Sequence, residues 1–218
     1  MDLQNLTVLF LGDSITEGVG ASSRDKRFTD VFGRLTGAHV RNYGIGGTRI
    51  ARKHATSPNP VFDRCFIDRV DTMEEEADIV VIFGGTNDFG HGDAPLGSFD
   101  DTDEYTFFGA LKSLLKKTLT KYPCARVVLM TPIHRESENV TTNEIGLPTK
   151  TLREFVEAEI QVAREFSVPV LDLWSLSGMQ PLIPEQKKAF SADGLHPNDR
   201  GHERIARCLI GFLKTLEK

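Results

Sequence analysis

Leu6-Thr7-Val8-Leu9-Phe10-Leu11-Gly12-Asp13-Ser14-Ile15-Thr16-Glu17-Gly18 decides how the whole chain is read. Its first six residues are almost continuously apolar and stop at a glycine. That is the pattern of a strand buried on both faces; a half-exposed strand would alternate apolar with polar. Beyond Gly12 the chain turns polar at once, so a turn leaves the strand's carboxyl end. The same grammar recurs at His39-Val40-Arg41-Asn42-Tyr43 before Gly44 and at Asp78-Ile79-Val80-Val81-Ile82-Phe83 before Gly84. It returns at Arg126-Val127-Val128-Leu129-Met130 before Thr131-Pro132, and at Val168-Pro169-Val170-Leu171-Asp172-Leu173, where Pro169 fits only a strand start or a sheet edge.

Between these runs lie helical spacings. Phe28, Val31, Phe32 and Leu35 share one face, as do Phe107, Leu111, Leu114, Leu115 and Thr118. Leu152, Phe155, Val156, Ile160, Ala163 and Phe166 repeat the pattern behind Pro148, a residue suited to a first helical turn. Ile205, Leu209, Phe212, Leu213 and Leu216 form the last stripe, and residues 61–76 are predicted helical, ending in the solvated Glu74-Glu75-Glu76. Core packing accounts for nearly all of these residues. Strand alternating with helix predicts an α/β domain of three layers, α/β/α, around a mostly parallel sheet. Five strands favour the flavodoxin-like order 2-1-3-4-5.

The 218 residues contain no repeat, low-complexity tract or linker, so residues 1–218 are expected to form a single domain. With 26 Lys+Arg against 31 Asp+Glu the net charge is −5, which does not favour a nucleic-acid partner. No apolar run approaches the ~20 residues of a membrane span. Met1-Asp2-Leu3-Gln4-Asn5 lacks the basic start of a signal peptide, and a cytoplasmic setting is expected. Cys65, Cys124 and Cys208 show neither a Cys-x-x-Cys pair nor zinc spacing; reduced, mostly buried thiols are expected.

Connections after the second to fifth strands are long: 48–60, 84–103, 133–147 and 174–198. All leave carboxyl ends of parallel strands, the edge at which open α/β sheets bind ligands. Four candidate elements fall there. Gly12-Asp13-Ser14 places a serine on a tight strand-to-helix turn, although a helix cap explains it equally well; Asp13 and Glu17 alone are weak metal ligands. Asn42-Tyr43-Gly44-Ile45-Gly46-Gly47-Thr48-Arg49 exposes backbone amides, or is simply a flexible turn. Gly84-Gly85-Thr86-Asn87-Asp88 offers an uncharged side-chain amide, or an Asx turn. Asp193-Gly194-Leu195-His196 sets a carboxylate three residues before a histidine, the orienting relation a general base needs. Together they supply the parts for acyl transfer through a serine.

In this order, across residues 12–196, the four blocks resemble those of the SGNH hydrolases, the GDSL-like esterase/lipase superfamily. The Gly-x-Ser-x-Gly elbow of the α/β-hydrolases is absent. The resemblance implies that Ser14 is the nucleophile, His196 the base and Asp193 its orienter. It implies an oxyanion hole formed by the Ser14 and Gly47 amides and the Asn87 side chain, with no cofactor and no metal. Gly46 stands where the family commonly has Ser, and Thr48 where it commonly has Asp; this bears on the shape of the acyl pocket rather than on the Gly47 donor. The expected substrate is a small-molecule carboxylic ester of short acyl chain, with an O-acetylated carbohydrate as a candidate. His91, Asp93, His134 and Arg135 are candidates to contact a polar leaving group, each weighed against plain loop solvation. An acyltransferase using the same triad is the first alternative. A non-catalytic flavodoxin-like binding domain is the second, although Glu17 puts an anion where a phosphate would sit. Homo-oligomerisation stays open.

Overall fold

In the computed structural model, which describes residues 2–216, the elements follow in the order β1 (Thr7–Gly12), α1 (Ser14–Glu17), α2 (Phe28–Thr36), β2 (His39–Gly44) and α3 (Phe66–Arg69). Next come β3 (Ile79–Phe83), α4 (Thr86–His91), α5 (Phe107–Lys121), β4 (Arg126–Met130) and α6 (Leu152–Glu165). The chain closes with β5 (Val170–Leu171), α7 (Leu173–Leu176), α8 (Pro184–Phe190) and α9 (Asp199–Thr215). The sheet is five-stranded in the order β2-β1-β3-β4-β5, every pair parallel, as the alternation predicts. Gly12 stands opposite both Gly44 and Phe83, so the first three strands end at one level.

Successive strand residues point to opposite faces, and here both faces are covered. Leu9, Leu11, Val80, Ile82, Val127 and Leu129 pack in one core with α3, α5 and α6. Val8, Phe10, Ile79, Val81, Val128 and Met130 pack in the other with α2 and α9. This two-sided burial is why the runs read as continuously apolar. His202 of α9 joins two segments: Phe28 N donates to its Nδ1 at 3.3 Å and its Nε2 donates to Val19 O at 3.2 Å. Among the described residues no helix is long and apolar enough to cross a bilayer.

Several expectations need correction. Residues 61–76 do not form one helix: two 3₁₀ turns, Pro60–Asp63 and Val70–Thr72, flank the four-residue α3. Phe66, Ile67, Arg69, Val70 and Met73 are all buried, so the helical spacing of inward residues holds although the backbone breaks into short turns. Pro148 lies outside α6, paired in an isolated bridge with Thr142; the helix starts instead with a capping box between Thr151 and Glu154. Leu35 is 45% exposed, in the last turn of α2 beyond the residues packed on the core. The fifth strand shrinks to two residues at the sheet edge. The 84–103 connection carries α4, and 174–198 carries most of α7 and all of α8. Of the cysteines only Cys65 is buried, while Cys124 is exposed.

Candidate active site

Ser14 is the first residue of α1, directly beyond the end of β1. Asp13 caps the helix, its Oδ1 accepting from Ile15 N at 2.9 Å. A Cβ on Gly12 would lie 2.0 Å from Thr16 Oγ1, so only glycine lets this short helix fold back on the strand end. Burial pushes the Asp13 carboxyl up to about 6, against the opposing pull of the Ile15 amide. Asp13 and Glu17, weighed as weak metal ligands, are both engaged in the scaffold: Glu17 Oε2 accepts from Gly46 N at 2.7 Å.

Ser14 Oγ meets His196 Nε2 at 3.0 Å across 182 residues of sequence. His196 Nδ1 is 2.7 Å from Asp193 Oδ2, while Asp193 Oδ1 accepts from His196 N at 2.7 Å and Leu195 N at 2.9 Å. A carboxylate on Nδ1 sets that nitrogen as donor and leaves Nε2 to accept from the serine hydroxyl. Desolvation raises the Asp193 carboxyl, yet the bonds from His196 and Leu195 outweigh it and hold the group below its ordinary range. The loop carrying the pair is braced: Gly194 takes φ +90°, Ala192 N donates to His196 O at 2.8 Å, and Glu136 N donates to Gly194 O at 3.0 Å.

The loop after β2 lies against the serine. Asn42 Nδ2 donates to Thr16 O at 2.6 Å, and Asn42 Oδ1 accepts from Gly44 N at 2.8 Å. A Cβ on Gly46 would come within 3.5 Å of Ser14 Cβ, and Gly47 sits at φ +74°. Asn87, buried at the start of α4, donates through Nδ2 to Thr48 O at 2.9 Å, which leaves its second amide hydrogen available. Among the described residues the Ser14 and Gly47 amides donate to no protein acceptor. Asp88 anchors the far end of the loop by accepting from Ala51 N at 2.8 Å and Ile50 N at 3.0 Å; burial pushes its carboxyl up to about 7.

A cleft of about 470 Å³ opens over Ser14, Gly47, Asn87 and His196. Val19, Ile45, Val61 and Phe62 make it apolar on one part, while His91 and Arg135 line it elsewhere. The other two loop candidates are not in its lining. Asp93 accepts from His54 N at 3.1 Å and Ala55 N at 2.8 Å, and His134 stacks on Trp174 with ring centroids 3.8 Å apart.

Three buried residues have no role in the sequence reading, where Arg49 appears only as the last residue of the glycine loop and Arg69 and Glu159 not at all. Arg69 donates to Gly12 O at 2.9 Å, to Thr48 Oγ1 at 2.8 Å and to Tyr43 O, clamping the ends of β1 and β2 to the glycine loop. Arg49 donates through Nη2 to Phe62 O at 2.6 Å and through Nη1 to His91 Nδ1 at 3.0 Å. Glu159 of α6 is wholly buried behind Gly85, with no hydrogen-bond partner for either oxygen among the described residues, and burial raises its carboxyl well above the usual range. A lone Arg at an inward position between Phe66 and Val70 was the available signal for Arg69. For Arg49 and Glu159 nothing local gave one.

Residues 10–204 match the GDSL-like lipase/acylhydrolase family. The mouse protein named isoamyl acetate-hydrolyzing esterase 1 homolog is 29% identical over 212 residues, covering 90% of this chain and 76% of that one. An acetylxylan esterase from Xylanibacter ruminicola is 25% identical over 227 residues; the match takes in 96% of this chain but only 43% of that longer protein. A solved structure from Lactobacillus plantarum superposes with a TM-score of 0.83 at 32% identity, over 99% of both chains.

Proposed function

Because the chain belongs to the GDSL-like lipase/acylhydrolase family, we propose that it hydrolyses carboxylic esters through an acyl-enzyme on Ser14. The observation that carries this is the relay of 3.0 Å from Ser14 Oγ to His196 Nε2 and 2.7 Å from His196 Nδ1 to Asp193. In this reading Ser14 Oγ attacks the ester carbonyl as its proton passes to His196 Nε2, and Asp193 stabilises the imidazolium. The Ser14 and Gly47 amides and the Asn87 Nδ2–H receive the charge that develops on the carbonyl oxygen. The tetrahedral intermediate collapses, His196 hands its proton to the departing alkoxide, and the alcohol leaves. Water then repeats the cycle on the acyl-enzyme and releases the acid.

The substrate we propose is a short-chain ester of a small alcohol, with O-acetyl groups on carbohydrates as the first candidates. A cleft of about 470 Å³, partly apolar and partly lined by donors, supports small substrates. So do two relatives named for acetyl esters, the acetylxylan esterase and the isoamyl acetate-hydrolyzing esterase 1 homolog. Treatment with a fluorophosphonate followed by peptide mass analysis tests the nucleophile, with the adduct expected on Ser14. Should purified Ser14→Ala still cleave 4-nitrophenyl acetate at the rate of the unmodified protein, the assignment is wrong. Product analysis with added glycerol or sugar separates hydrolysis, where acid alone accumulates, from transfer, where a new ester does.

A further inference from the structure

His91 follows Asn87 by one helical turn on α4, and both line the cleft. Its Nδ1 stands 3.0 Å from Arg49 Nη1. A guanidinium has donors only and never gives up its proton in a protein, so Nδ1 must be the acceptor. The ring proton then resides on Nε2. Arg49 is itself fixed: it is 3% exposed, its Nη2 donates to Phe62 O at 2.6 Å, and Asp63 balances its charge from 4.0 Å. Protonating Nδ1 would set two cations against each other about 3.0 Å apart, one of them the buried Arg49. Burial and the Arg49 charge accordingly hold the imidazole below its ordinary value, and it stays neutral. Among the described residues no protein acceptor meets His91 Nε2.

We propose that Arg49 locks His91 in the Nε2–H form, making it a specificity-determining donor that binds an oxygen acceptor of the substrate outside the scissile ester group. Such a donor favours esters carrying an ether, hydroxyl or carbonyl oxygen over alkyl esters of the same size. In an alkyl complex the buried N–H would lose water and gain nothing. The acceptor belongs to either the acyl or the alcohol part, and substrate pairs distinguish the two. This inference rests on the esterase reading only for its kinetic arm; the tautomer does not depend on it.

Nitrogen-15 NMR of histidine-labelled protein at neutral pH reads the tautomer directly, with His91→Phe assigning the signal. An Nε2–H ring with a bare Nδ1 is expected; an Nδ1–H or doubly protonated ring overturns the lock. The kinetic arm compares isosteric pairs: 4-nitrophenyl methoxyacetate with 4-nitrophenyl butyrate for the acyl side, and 2-methoxyethyl acetate with butyl acetate for the alcohol side. His91→Phe should lower kcat/KM for the oxygen-bearing member of one pair by about 5- to 30-fold relative to its alkyl partner. His91→Gln, which keeps an N–H donor, should recover part of that ratio. Unchanged ratios in both pairs, with Ser14 still labelled by fluorophosphonate, overturn the donor role. Absence of Ser14 labelling in the unmodified protein instead sinks the esterase reading, and the NMR result continues to decide the lock.

Discussion

Replacing Asp88 by asparagine should change the sign of its effect on stability between acid and alkaline pH. Asp88 is 3% exposed, and its two oxygens separately accept from Ala51 N at 2.8 Å and Ile50 N at 3.0 Å. Burial raises its carboxyl from 3.8 to about 7 despite those bonds. A group raised in the folded state contributes fully below its unfolded value, here about 4, and that contribution is lost as pH climbs through about 7. Three pH units at about 1.4 kcal/mol each make the loss about 4 kcal/mol. Asparagine escapes this loss because it never ionises. It has only one oxygen, however, so one backbone amide loses its acceptor at a cost of about 1–3 kcal/mol. Asp88→Asn should therefore be less stable by about 1–3 kcal/mol at pH 4, and more stable by a similar amount at pH 8.5. Urea unfolding followed through the single Trp174 at a series of pH values measures both arms, provided the slopes match. The raised Glu159 carboxyl contributes a slope of the same sign to both proteins, smaller in the variant because the Asp88 charge is one cause of its rise. A stability difference that does not vary with pH would refute the view that desolvation governs Asp88.

Four further outcomes follow from the geometry. Asn87→Ala should lower kcat by about 10²- to 10³-fold, read from initial rates on 4-nitrophenyl acetate. Arg69→Met should cost about 2–4 kcal/mol in urea unfolding, because the Gly12 and Tyr43 carbonyls and the Thr48 hydroxyl lose a charged donor together. Gly12→Ala should cost about 1–3 kcal/mol or more and depress activity, since its methyl group would lie 2.0 Å from Thr16 Oγ1. His202 is pulled from 6.5 to about 4 mainly by burial, so its contribution is complete above pH 6.5 and drains away as pH falls towards 4. The amount is about 3 kcal/mol, and His202→Gln should flatten that acid limb of the stability curve.

What could be read in advance follows from where the information resides. A strand buried on both faces writes itself as a continuous apolar run, so Val8–Leu11 and Ile79–Phe83 were plain, and alternation with helices then gave the parallel sheet, whose order only the strand count favoured. The segment 61–76 misled because its buried residues keep a helical spacing while the backbone is broken into a short helix between two 3₁₀ turns. Pro148 misled because Thr151 and Glu154 cap α6 more effectively three residues later. The same division runs through the site. Asp193 and His196 are three residues apart and bond each other within one loop, so their relation was visible locally. Arg69 and Arg49 act on carbonyls and rings contributed by other segments, and Glu159 has no hydrogen-bond partner among the described residues, so their roles are not written in their neighbours.

The serine and its histidine are contributed by opposite ends of the described chain, 182 residues apart. Closing so long a span is a late event in any folding sequence. During synthesis the Ser14 turn emerges before the residues around His196, so the proposed nucleophile lacks its proposed base until these have docked against it. On that proposal an incomplete or half-folded chain should not attack esters. Recovery of activity after dilution from denaturant should track the slowest folding step, making turnover a reporter of complete assembly rather than of local structure.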